Sequence, residues 1–104
     1  MSLEPKKLPY PERLVESYLK AKCKENGFLC EKFTSPSQRS VPDRLITLPT
    51  GKMVFVECKA TGKTPTLAQL NDHSKRSKMN CDVYVVDSYD GVAALIEQLK
   101  FESI

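Results

Sequence analysis

Apolar residues recur at helical spacing near the start of the chain, where Leu14, Val15, Tyr18 and Leu19 fall on one arc of a helical wheel. Pro11 stands at the head of that arc and Gly27 just past its end, which predicts a helix over residues 11–26. The period then shortens. Residues 28–33 read as a strand, and 34–40 as a polar loop carrying Arg39. Leu45-Ile46-Thr47-Leu48 reads as a second strand and Val54-Phe55-Val56-Glu57-Cys58-Lys59 as a third. Pro49-Thr50-Gly51-Lys52 supplies turn chemistry between them. A loop over 60–65, a helix over 67–79, a strand over 82–87 and a closing helix over 91–100 complete the pattern. The order αβββαβα places the protein in the α/β class. Residues 1–10 read as a flexible arm bearing prolines and lysines, and residues 11–104 as a single domain.

Composition narrows the partners. Sixteen lysines and arginines against thirteen aspartates and glutamates leave a net charge of +3, which permits a nucleic-acid partner without establishing one. No apolar run approaches the roughly 20 residues of a membrane span, so no membrane association is expected. Residues 1–10 also lack the apolar centre of a signal peptide. A cytoplasmic location is expected. Cys23, Cys30, Cys58 and Cys81 show no C-x-x-C spacing, so reduced core thiols are expected in place of a zinc knuckle or a redox pair. His73 is the only histidine, which argues against a histidine–metal nuclease. The four glycines are scattered and build no phosphate-cradling loop, so no nucleotide cofactor is expected.

The chemistry concentrates in Val41-Pro42-Asp43 and in Glu57-Cys58-Lys59. Side chains alternate across a strand, so Glu57 and Lys59 share one face about 7 Å apart. A hairpin centred on Thr50 pairs Asp43 with Glu57, and a one-residue slip pairs it with Cys58. In either register Asp43, Glu57 and Lys59 converge on one small volume. Burying charge costs several kcal/mol unless it is paired or binds a metal. Two adjacent carboxylates suit a hard divalent cation, and a lysine beside them can orient water or neutralise a phosphate. An isolated E-x-K on a strand is more often an ion pair at a sheet edge; Pro-Asp at the head of the hairpin argues for a site.

These residues resemble the signature of the PD-(D/E)XK nuclease superfamily, and the wider pattern resembles its virus-type replication-repair nuclease (VRR-NUC) branch. The likeness is carried by Pro11-Glu12-Arg13-Leu14-Val15-Glu16-Ser17-Tyr18-Leu19, Ser40-Val41-Pro42-Asp43-Arg44, Phe55-Val56-Glu57-Cys58-Lys59-Ala60, Leu67-Ala68-Gln69 and Asp82-Val83-Tyr84-Val85-Val86-Asp87. It spans residues 11–100. The resemblance implies the common αβββαβα core of that superfamily, a mixed sheet flanked by helices. It implies a Mg²⁺- or Mn²⁺-dependent DNA endonuclease hydrolysing phosphodiester bonds, structure-specific for branched DNA such as four-way junctions and acting as a homodimer. Its metal would be held by Asp43, Glu57, the Cys58 backbone carbonyl and Glu16, with Lys59 acting on the attacking water.

Several assignments remain open at this level. Glu16 matches the family's first-helix glutamate, yet lies beyond the apolar arc beside Lys20, where a surface pair is the simpler reading, and Glu12 competes for the role. Gln69 matches the glutamine that opens the helix after E-x-K, but Thr66-Leu67-Ala68-Gln69 is also a capping box. The two uses of Gln69 are expected to compete for one side chain. Arg39 and Lys63, in loops bordering the site strands, are the favoured DNA contacts, followed by Lys75, Arg76 and Lys78 on the second helix. Arg44 is expected to point to the opposite sheet face from Asp43. Two rival readings persist: a DNA-binding module of the same fold without turnover, and a structural ion cluster in a small interaction protein.

Overall fold

The computed structural model describes residues 9–103. Seven elements follow the expected order: α1 (Glu12–Glu25), β1 (Leu29–Lys32), β2 (Arg44–Thr47), β3 (Met53–Cys58), α2 (Leu67–Lys78), β4 (Asp82–Val86) and α3 (Tyr89–Glu102). They build a mixed α/β fold around one four-stranded sheet in the order β1-β2-β3-β4. The β1–β2 and β2–β3 pairs are antiparallel, whereas β3 and β4 run parallel. That parallel step needs a crossover, and α2 provides it.

Alternation along β3 divides the structure into two layers of different character. Val54, Val56 and Cys58 are buried on one face, where they join Val15, Leu19 and Cys23 of α1 and Val92, Leu95, Ile96 and Leu99 of α3 in the apolar core. Phe55 and Glu57 project to the other face, where α2 lies: Gln69 and His73 of that helix reach Glu57. Arg76 of α2 covers the Phe55 ring. The core side is conventional. The α2 side is not, because its buried residues are Asp72 and His73 while Leu67, Leu70 and Met79 stand exposed.

Of the expected flexible arm, residues 1–8 lie outside the described residues. Tyr10 is held in place. It exchanges hydrogen bonds with Thr61, through the Thr61 hydroxyl and main chain, and its ring stacks on Tyr89 at 4.0 Å. Tyr18 stacks on the other side of Tyr89 at 4.1 Å. This three-ring pile joins the start of the domain to α1 and to the head of α3. The Thr61 hydroxyl also donates to the Asp87 carbonyl, so the loop that follows Lys59 is tied to the end of β4.

Candidate active site

The β2–β3 register sets Arg44 opposite Val56, and therefore Asp43 opposite Glu57. Of the two hairpin alignments the sequence allows, this is the one centred on Thr50. Asp43 Oδ2 accepts a 2.7 Å hydrogen bond from the Cys58 amide. The carboxylate is thus fastened to the neighbouring strand by a donor that cannot move away. The Asp43 carboxyl, opposite Glu57 on the neighbouring strand, is close enough to disfavour the Glu57 charge.

Glu57 is 1% exposed. Its carboxyl is pushed up to about 8, first by burial, then by its contact with Asp43 and by that residue's charge. The Lys59 charge opposes the rise: its Nζ stands 4.0 Å from Glu57 Oε2. A Glu57 that holds its proton near neutral pH is a carboxylate with too little positive charge around it.

α2 holds Glu57 from above. Gln69 Nε2 donates to Glu57 Oε2 at 3.3 Å, and His73 Nε2 lies 3.4 Å from Glu57 Oε1. Gln69 also keeps its place in the capping box: Oε1 accepts from the Thr66 amide at 2.9 Å while the Gln69 amide donates to Thr66 Oγ1 at 3.2 Å. The expected competition between capping and site contact therefore does not arise. A carboxamide has separate donor and acceptor ends, and each serves one role. His73 was passed over in the sequence as a lone histidine. Its position four residues after Gln69, hence on the same helical face, was the available signal. Burial pushes its pKa down, favouring a neutral ring that offers Glu57 at most one N–H.

Glu16 is engaged by Arg44. It bonds neither Lys20 nor the carboxylate pair, but receives the Arg44 Nε–H at 2.8 Å, in an ion pair whose side chains are 13% and 19% exposed. Arg44 does face away from Asp43, towards α1, as alternation requires. Glu12, the competing candidate, is coupled electrostatically to the carboxylate pair. Its carboxyl is raised by partial burial and next by the charge of Asp43, and it contributes in turn to the rise at Glu57. Among the described residues, no three His, Cys, Asp or Glu side chains gather closely enough to hold an ion by themselves. The donor set on hand is Asp43, Glu57 and the Cys58 carbonyl in the peptide leading to Lys59, with water completing it. One or two carboxylates plus several waters is the habit of Mg²⁺, so the residues fit such an ion.

The candidate DNA contacts separate into two groups. Arg39, Lys63 and Lys75 are exposed, Arg39 in the β1–β2 loop beside Asp43 and Lys63 in the turn after Lys59. Arg76 is turned inward. Its guanidinium lies 4.6 Å from the Phe55 ring and 5.3 Å from the Phe33 ring, and Nε bonds the buried Asp72 at 2.7 Å. That arrangement makes Arg76 a packing residue first. Its spacing beside Lys75 carried no sign of this, because Phe33 and Phe55 come from two different strands.

Fold and site together define a class: an α/β domain whose sheet brings Pro-Asp and Glu-x-Lys to one point, the PD-(D/E)XK arrangement. A solved structure described as a VRR_NUC domain matches with a TM-score of 0.79 at 34% identity, covering 85% of this chain and 96% of that one. "Putative nuclease p44" of Acyrthosiphon pisum secondary endosymbiont phage 1 is 44% identical over 79 residues, 76% of this chain and 85% of the phage protein. No family model matches the sequence. On these similarities the chain belongs to the VRR-NUC nuclease family. No helix among the described residues is long and apolar enough to cross a membrane.

Proposed function

We propose that this chain is a divalent-metal-dependent DNA endonuclease, selective for branched DNA such as four-way junctions and acting as a homodimer. The observation that carries the reading is the convergence of Asp43 and Glu57, fixed by the β2–β3 register, with Lys59 4.0 Å from Glu57. Mg²⁺ or Mn²⁺ held by Asp43, Glu57 and the Cys58 carbonyl would polarise the phosphodiester and acidify a bound water. The residues of the chain do the rest. The Cys58 amide holds Asp43, and Gln69 and His73 hold Glu57, so the two carboxylates keep their separation without reorganising. Lys59, 12% exposed at its side chain, places a cation where charge would build on the phosphate oxygens and can orient the attacking water. Arg39 and Lys63, exposed on either side of this point, would meet the flanking phosphates. A two-fold dimer would present two such sites to the two equivalent strands of a junction.

The test is cleavage of labelled linear duplex, flap and four-way-junction DNA, and of matching RNA, in Mn²⁺ or in EDTA. Cutting in Mn²⁺ alone, fastest on the junction, is the expected result. Cutting that persists in EDTA, or no cutting of any substrate, would remove the proposal.

A further inference from the structure

Beside Asp43 the loop between β1 and β2 walls a groove of about 290 Å³, lined among others by Lys32, Phe33, Thr34, Gln38, Arg39 and Asp43. We propose that this groove seats one unpaired nucleotide of the cleaved strand, next to the scissile phosphate. The inference rests on the nuclease reading and adds to it a structural reason for substrate choice.

The wall is built rather than loose. The Phe33 amide donates to the Asp43 carbonyl at 2.8 Å, closing the loop at its neck. Ser35 and Gln38 form a bridge at its tip. Gln38 Nε2 then reaches across to Asp72 Oδ1 at 3.1 Å, and Asp72 is 4% exposed and bonded to Arg76. Arg76 packs on Phe33 at the floor of the same loop. Neck, tip and floor are therefore held by α2 and by β2, and little ordering remains to be done on binding.

Chemistry and size then select the occupant. Lys32 and Arg39 are exposed at the rim and supply two cations for a phosphate, while Asp43 lines the groove and makes it continuous with the site of cleavage. A larger cavity of about 440 Å³, beside Ser77, Asn80 and Asp82, has no lysine or arginine in its lining. The volume beside Asp43, about 290 Å³, falls just under the roughly 300 Å³ at which small-ligand pockets begin. A groove of that order suits one nucleotide better than a base pair. A nucleotide can enter only where its partner is absent, at a branch, a flap, a gap or a frayed end. Continuous duplex would have to lose a pair first, at a cost of about a few kcal/mol.

The test is anisotropy of labelled single-stranded and duplex DNA of one sequence, in EDTA at low salt, with wild type, Thr34→Trp, Arg39→Ala and the distant Lys100→Ala. Filling the groove should weaken single-strand binding by roughly tenfold and duplex binding by less than about twofold, and removing its rim cation should weaken single-strand binding more than duplex binding. Lys100→Ala should change neither. Equal losses on both forms, unchanged single-strand binding, or a wild type that does not bind the single strand would overturn the groove. Arg39→Ala, on an exposed side chain, keeps the test available should Thr34→Trp not fold. Cleavage in Mn²⁺ is scored separately. A wild type that binds single strands through the groove and cuts nothing would refute the nuclease reading and leave only the groove's preference for an unpaired nucleotide.

Discussion

At the scale of single residues, the site is a problem of charge. Glu57 is held near a pKa of about 8 by burial and by Asp43, against an ordinary value of 4.5. The folded chain therefore binds that proton more tightly than the unfolded chain. Without metal, the contribution to stability is intact below pH 4.5 and is lost as the pH rises through 8. Glu57→Gln should flatten this slope and raise the melting temperature in EDTA at pH 8, and Mn²⁺ should do the same for wild type. A thermal scan across pH checks it, and a flat wild-type profile in EDTA would contradict it. The two helix glutamates make a second contrast. Glu12→Gln should weaken Mn²⁺ binding and slow cleavage with little change in stability. Glu16→Gln should instead lower stability by about 1–3 kcal/mol, since it removes the charge partner of the largely buried Arg44. Calorimetric titration with Mn²⁺ beside urea unfolding separates them. Asp43 opposite Glu57 was one of the two registers that strand alternation and the turn at Thr50 left open, and the structure selects it. The partner of Glu16 could not be read locally, because Arg44 arrives from a strand 28 residues away in sequence.

At the scale of elements, α2 explains most of what the sequence concealed. Its existence and its start were legible from the capping box at Thr66. Which face it buries was not, for periodicity assumes an apolar inner face. Here the inner face is polar: Asp72 and His73 are buried, and the helix is held by Gln69, His73 and Arg76 reaching the sheet. Arg76→Ala should therefore act on the fold. It would strip Asp72 of its charge partner and uncover Phe55, at a cost of about 2–4 kcal/mol in urea unfolding. The salt slope of DNA binding should hardly change. Lys75→Ala, on an exposed neighbour, should show the reverse: unaltered stability and a slope smaller by about 1.

At the scale of the molecule, the sheet divides labour between its faces. The apolar face with α1 and α3 carries stability, so the opposite face can keep Glu57, Lys59, Gln69 and His73 together at a spacing that would not hold a core. The αβββαβα order and the α/β class were visible in the pattern of apolar runs, since each run is short and punctuated. The β3–β4 parallel pairing and the seating of Tyr10 against Thr61 and Tyr89 depend on contacts distant in sequence, and no local signal announces them. The dimer belongs to this scale as well. Sedimentation equilibrium should return twice the 11.7 kDa chain mass, and a monomer at all concentrations would contradict the two-site arrangement on a junction. The central claim is that Asp43 and Glu57 form a metal site that cuts DNA. Its most direct test is the Mn²⁺ dependence of four-way-junction cleavage by wild type beside Glu57→Gln, with both proteins shown to be folded. The account predicts saturable, metal-dependent cutting by wild type and none by the variant; equal cutting by both would contradict it.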